Sequence, residues 1–118
     1  MKKSSMVLGV SIALLSLALT GCPERIQIGD ISRDPGRYFD KEVTVGGKVV
    51  RSYGAVGAGV YEIDDGTGTI WVATEKYGVP SKDTYIGVTG KVVPGVTWAG
   101  RNYGNGMRET RRRTSERR

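Results

Sequence analysis

From Lys41 onward the apolar residues come in short alternating runs cut by glycine, and this pattern restricts the chain to β-structure. Val43, Val45 and Val49 alternate with Thr44 and Lys48, the two-residue period of a strand with one face in a core and the other in water. Gly46 and Gly47 interrupt that run, and glycine inside a strand marks a bulge or a bend at a barrel corner. Val60–Asp64 and Thr69–Ala73 form two more short runs. Between them lies Asp65-Gly66-Thr67-Gly68, a hairpin signal because glycine tolerates the positive φ such turns require. A fourth run, Thr84–Val93, puts Ile86, Val88 and Val92 on one face and Tyr85, Thr89 and Lys91 on the other. No segment beyond residue 22 keeps a helical period, although 26–38 has room for one helical turn, broken by Asp34-Pro35-Gly36.

Gly47-Lys48-Val49-Val50 returns as Gly90-Lys91-Val92-Val93. Two copies are too few for a solenoid; two coiled strands of one barrel, each bending at its glycine, explain the echo better. Closure needs a fifth strand. Gly106–Arg111 is the candidate, with Met107 and Thr110 as inward contacts, ending near Arg112 before a frayed basic tail at 113–118. The alternative is a disordered basic arm beyond Trp98, because Arg111-Arg112-Arg113 resists burial.

A chain of 118 residues holds one small domain. It has no His and a single Cys, so the commonest general base is missing and neither an internal disulfide nor a thiolate metal cluster can form. Ser32, Ser52, Ser81 and Ser115 have no His to activate them, and Ser81–Lys82 are sequence neighbours on a polar loop. Asp64-Asp65 offers carboxylates suited to a hard cation. The alternating spacing of a calcium loop is absent, and the plainer reading is a hairpin whose Asp side chains bond nearby N–H groups. The expectation is a protein that is not an enzyme and needs no cofactor or metal.

The first residues read as an address. Lys2 and Lys3 precede Met6–Leu19, an uncharged run of 14 residues. That is short of the roughly 20 needed to span a bilayer and fits a secretory signal. Leu19-Thr20-Gly21-Cys22 resembles the lipobox of bacterial lipoproteins. The resemblance implies cleavage before Cys22, diacylglycerol on its sulfur, an acyl chain such as palmitate on the new amine, and a firm membrane anchor. Pro23 stands where an Asp often retains lipoproteins at the inner membrane, which favours the outer of two membranes. The expected organisation is thus a signal peptide at 1–21, a domain at 22–112 and a tail at 113–118.

Charge is unevenly spread. Residues 101–118 hold seven Arg against two Glu, whereas residues 22–100 hold nine Lys or Arg against ten Asp or Glu. The basicity belongs to the C-terminal segment rather than to the body. Those arginines offer contacts to anionic headgroups or acidic polysaccharide.

The runs at 43–50, 61–72 and 87–92, with the Asp-Gly-Thr-Gly turn between the second and third strands, resemble an OB-fold. The likeness is to its nucleic-acid-binding, tRNA-anticodon-like branch. Ile28-Gly29-Asp30-Ile31, Pro35 and Tyr38 are similar to the lead-in of exported members. The resemblance implies an all-β, five-stranded Greek-key barrel over most of the chain after the signal. One departure stands out: the usual helix between strands three and four is replaced by 75–83, with Gly78-Val79-Pro80. Tyr77 or Val79 then has to cover that end of the barrel.

OB barrels offer ligands the face of strands two and three and the loops joining strands one to two and four to five. Here that surface would include Arg51, Tyr53, Trp71, Trp98, Arg101 and Tyr103. If Ile70 and Val72 point inward, Trp71 points outward, either offered to a ligand or covered by a loop. Tyr61 and Ile63 inside would leave Glu62 outside, a carboxylate working against a polyanion, with the Tyr61 hydroxyl hydrogen-bonded in the core. The loops at 52–59 and 94–106 are Gly-rich and read as flexible, their aromatics free to stack on bases or sugars or to lie back on the rim. The leading reading is an envelope lipoprotein that binds a ligand or protein partner without catalysis. The alternative is a single-stranded nucleic-acid-binding protein, and catalysis ranks last.

Overall fold

Alternation and glycine placement together close the barrel. The computed structural model describes residues 24–115; the signal segment, Cys22 and residues 116–118 lie outside the described residues. The long strands are β2 (Glu42–Ala55), β3 (Ala58–Asp64), β4 (Thr69–Thr74), β5 (Tyr85–Val93) and β8 (Gly106–Ser115). They pair in the order β2-β3-β4-β8-β5, and β5 returns to β2. β4 and β8 run parallel and the other barrel pairs antiparallel. This is the closed five-stranded OB-fold barrel that the sequence led us to expect.

Inward residues at two-residue spacing fill it: Val43, Val45 and Val49, Tyr61 and Ile63, Ile70 and Val72, Ile86, Val88 and Val92, and Met107. The repeated glycines are inward positions where a neighbouring backbone comes too close for a side chain. A Cβ on Gly47 would stand 2.5 Å from Asp64 O, and one on Gly90 2.3 Å from Arg108 O. β2 and β5, which carry the echoed segments, pair with each other, Val43 opposite Gly90.

The closing strand corrects the expectation in two ways. β8 continues to Ser115, paired with Tyr85, so 113–115 belong to the sheet rather than to a frayed tail. Its inward residues also differ. A bulge near Thr89/Gly90 sets Gly90 opposite Glu109 and Thr89 opposite Arg111, leaving Thr110 as the extra residue. Thr110 is therefore exposed, its hydroxyl within 3.0 Å of Glu42 Oε2 and 3.1 Å of Thr89 O. Glu109 and Arg112 point inward instead, with side chains 0% and 15% exposed.

The segments expected as flexible loops are largely paired. β2 and β3 continue through Ala55 and Ala58 with only Val56-Gly57 between them. Within 94–106, β6 (Thr97–Trp98) and β7 (Arg101–Asn102) form a hairpin, turned at Ala99 (φ 51°) and Gly100 (φ 79°), the two positive-φ positions of a type I′ turn.

The two barrel ends are shut differently. At one, α1 (Ile28–Arg33) lays Ile28 and Ile31 into the core, each burial contributing about 1.5–3 kcal/mol. Gln27 provides no side-chain cap. The Asp-Gly-Thr-Gly turn does so instead: Ile28 N–H donates to Asp65 Oδ2 at 2.9 Å and Gly29 N–H to Thr67 Oγ1 at 2.8 Å. Gly29 permits that approach, since a Cβ there would meet Thr67 O at 2.7 Å. At the other end Val79 packs on the core. There Tyr61 Oη donates to Glu109 Oε1 at 2.6 Å, and Arg112 grips the same carboxylate through Nε at 2.7 Å and Nη2 at 3.0 Å. The Arg112 guanidinium lies 5.4 Å from the Tyr61 ring and 5.5 Å from that of Tyr77, and bonds Gly78 O. Tyr77 covers the arginine rather than the apolar core.

Candidate functional site

The outer face of β2, β3 and β4 carries the candidate residues, and a second bulge puts two of them there. Strict alternation from Val49 would turn residues 51 and 53 into the core. The β2 register shifts between Val49 and Arg51, so that Arg51 pairs with Glu62 and Tyr53 with Val60. One extra residue, Val50, thus moves Arg51 and Tyr53 outside. Trp71 lies outside by ordinary parity between buried Ile70 and Val72, opposite Glu62.

Three rings meet on this face. Trp71 and Tyr103 lie 4.5 Å apart between centroids and are tilted by 39°; Tyr53 stacks near Trp71 at 6.0 Å and near Tyr103 at 6.3 Å. Tyr103 comes from the connection between β5 and β8, held by Tyr103 N–H donating to Val96 O at 2.8 Å and Val96 N–H to Gly104 O at 2.9 Å. Val96 is 2% exposed. The connection therefore folds down on the barrel, and Gly106 allows it, because a Cβ there would stand 2.6 Å from Val96 Cγ2. Arg101 reaches over Tyr103, 5.8 Å from its ring centroid. Arg51 lies 3.7 Å from Glu62, whose side chain is only 14% exposed.

Of the six candidates, Tyr53, Trp71 and Tyr103 form the cluster and Arg51 and Arg101 flank it. Trp98 is half-buried on β6, a strand that touches β3, but it joins none of these ring contacts. Trp71 is outward and half-buried, with Tyr103 of the β5–β8 connection lying against it. Beside it a recess of about 270 Å³ is lined by Ser32, Glu62, Trp71, Tyr103 and Asn105 among others. Ser32 and Asn105 carry no sequence signal; α1 and the connection before β8 bring them in.

The acidic residues that invited a metal reading have other duties. Asp64 Oδ1 accepts from Gly66 N–H at 2.8 Å, and Asp65 Oδ1 accepts from the N–H and hydroxyl of Thr67 at 2.8 and 2.6 Å. Partial burial alone would raise the Asp65 pKa, but hydrogen bonds from Ile28 and Thr67 outweigh it and hold the carboxyl below its usual value. Tyr61 is pushed well above the ordinary phenol range, by burial first and then by its bond to the Glu109 carboxylate. Hydrogen bonding to Glu109, against the effect of burial, raises Arg112.

No protein-family model matches the sequence, and no curated protein does either. Solved structures do resemble it. A Leishmania major protein assigned as an aspartyl-tRNA synthetase superposes with a TM-score of 0.61 at 12% identity, over 80% of this chain and 21% of that one. An OBody bound to hen egg-white lysozyme superposes with a TM-score of 0.51 at 17% identity, over 66% of this chain and 84% of that one. The chain spans about a fifth of the synthetase. At such identities the likeness establishes the OB-fold and nothing finer.

Proposed function

We propose that this protein is a non-catalytic binding module, tethered to the cell envelope through lipid on Cys22, that seats a protein partner on the face of Tyr53, Trp71 and Tyr103. The three-ring cluster with Arg51 and Arg101 at its margin carries the reading. Tyr, Trp and Arg are the residues that concentrate binding energy in protein interfaces. Trp71 and Tyr103 pack against each other at 4.5 Å, leaving no gap for a base to enter between them and presenting one continuous patch. The second neighbour's recorded partner, lysozyme, is itself a folded protein. Non-catalysis is supported by the engagement of the reactive groups: Asp64 and Asp65 brace a turn, Glu109 is paired with Arg112, and Ser52 donates to Pro80 O at 2.6 Å.

A photo-crosslinking residue at position 53, compared with one at Lys91 elsewhere on the barrel, tests the face in intact cells. One adduct of defined mass from position 53 alone is expected; no adduct, or the same adducts from both sites, overturns the reading. The anchor has its own test. Native protein beginning at Cys22 with added acyl mass is expected, and a chain that retains Met1 without lipid sinks it.

The alternative ligand is single-stranded nucleic acid lying on the same rings, favoured by Arg51 and Arg101 and by the likeness to a synthetase. It predicts oligonucleotide binding that falls steeply with salt and is lost with Trp71→Ala. No retention at low salt eliminates it.

A further inference from the structure

The face of β2, β5 and β8 away from the ring cluster holds a groove of about 460 Å³, lined by Arg25, Thr44, Gly87, Thr89, Arg111 and Arg113 with the chain at Arg112. The bulge that turns Arg112 inward turns Arg111 and Arg113 outward, opposite Thr89 and Gly87. Arg25 arrives from β1 (Glu24–Arg25), which pairs in parallel with β2, Arg25 opposite Thr44. Its guanidinium lies across Gly46, where a Cβ would meet Nη2 at 2.7 Å. Gly46 and Gly87 face each other across the strands. Gly87 has no positive φ and room for a Cβ, whose nearest neighbour would be Arg113 O at 3.9 Å. Backbone geometry therefore does not demand glycine there, and its effect is to leave the floor open. Thr44 and Thr89 complete that floor, their hydroxyls 2.8 Å apart. No carboxylate among residues 25–113, whose side chains are described, forms an ion pair with Arg25, Arg111 or Arg113.

We propose that this groove seats the phosphate headgroup of an anionic membrane lipid, with Arg25, Arg111 and Arg113 as its cationic ligands. Three guanidiniums around an unfilled floor suit an oxyanion, which each can bind with paired N–H groups. No aromatic ring lines the groove, so it lacks the stacking surface that single-stranded nucleic acid uses. The choice of a lipid rests on the anchor reading above: Arg25 lies three residues beyond Cys22, a reach of roughly 10 Å of extended chain, which would keep the groove at the membrane surface.

The full chain carrying C22A, held in uncharged detergent micelles, is titrated with short-chain phosphatidylglycerol and, separately, with inorganic phosphate and a single-stranded oligonucleotide. The amide signals of Gly46 and Gly87 report binding. Saturable shifts with the lipid are expected, at concentrations at least tenfold below those needed with phosphate. R111Q/R113Q weakens binding roughly 25-fold, and G87V, which fills the floor without changing charge, abolishes the saturable shift. Absence of saturable shifts, shifts that survive G87V, phosphate binding as tightly as the lipid, or the oligonucleotide binding more tightly than either overturns the proposal. Because the chain tested has no covalent lipid, a failure of the anchor reading shows in the native mass and not in this titration.

Discussion

The two bulges of the barrel insert one residue each and do opposite things. In β2, Val50 moves Arg51 and Tyr53 from the core side to the surface, where Tyr53 meets Trp71 and Tyr103. In β8, Thr110 brings Arg112 inside against Glu109 and Tyr61, sealing an end of the barrel. The same device thus exports side chains to a binding face in one strand and imports a charge to complete the interior in another. The difference predicts a division of labour: changes at the residue turned inward by the β8 bulge, Arg112, register in stability, and changes at those turned outward by the β2 bulge, Arg51 and Tyr53, register in binding at the ring face.

The largest effect tests the imported charge. Arg112→Met leaves the wholly buried Glu109 carboxylate with Tyr61 as its remaining side-chain partner, and loss of one member of a buried pair costs about 3–5 kcal/mol. Denaturant unfolding should show it. Glu109→Leu combined with Arg112→Met should recover most of the loss, because an apolar pair of similar volume removes the stranded charge. Failure of the double variant to recover would mean that the pair also fixes the strand register.

Next comes Tyr61→Phe, which removes the other donor to that carboxylate and costs about 1.5–3 kcal/mol. The cost depends on pH. Burial and the Glu109 carboxylate raise the folded-state pKa of Tyr61 above its ordinary value of 10.0, so the folded chain keeps a proton that the unfolded chain releases. Wild type therefore loses stability relative to Tyr61→Phe as the pH climbs past about 10, and unfolding curves of the two should converge there.

Asp65→Ala, outside both bulges, serves as a comparison. It uncaps α1 at about 1 kcal/mol. The Asp65 pKa is lowered from 3.8 by the hydrogen bonds from Ile28 and Thr67 that outweigh its burial. Its contribution is present above that value and fades as the pH falls through the lower folded pKa. The two variants thus lose their difference from wild type at opposite ends of the pH scale.

The bulges also mark where the sequence stops being legible. Period-2 alternation identifies the core residues of β3, β4 and β5, and the Asp-Gly-Thr-Gly turn locates the β3–β4 hairpin, while the echoed glycines prove to be points of close backbone approach. On β8 alternation from Met107 points to Glu109 and Arg111 rather than to the expected Thr110, and the inserted Thr110 then reverses every side chain that follows, turning Arg111 out and Arg112 in. Nothing local announces the insertion. The partner that makes Arg112 tolerable, Glu109, is identified only once Gly90 is seen to face it across the sheet. On β2 the resemblance to other OB barrels places Arg51 and Tyr53 on the surface, whereas alternation alone buries them. The resemblance to OB barrels places Trp98 with the rings through the loop between strands four and five, yet on the β6–β7 hairpin it joins none of the ring contacts. Ser32 and Asn105 could not be found without the path of the chain.

The smallest stability effect belongs to the exported side. Tyr53 is 46% exposed and touches the other two rings only at centroid distances of 6.0 and 6.3 Å, so Tyr53→Ala should change the unfolding free energy little, within about 0.5 kcal/mol. Loss of the adduct formed at the ring face, read with the crosslinker moved to Arg101, is the expected functional consequence, since an aromatic anchor at the centre of an interface can cost 2 kcal/mol or more on truncation. A variant that binds normally but unfolds early would reverse the assignment. It would make the ring cluster a clamp that fastens the β5–β8 connection to the barrel, and leave the arginine groove as the surface through which the molecule meets its surroundings.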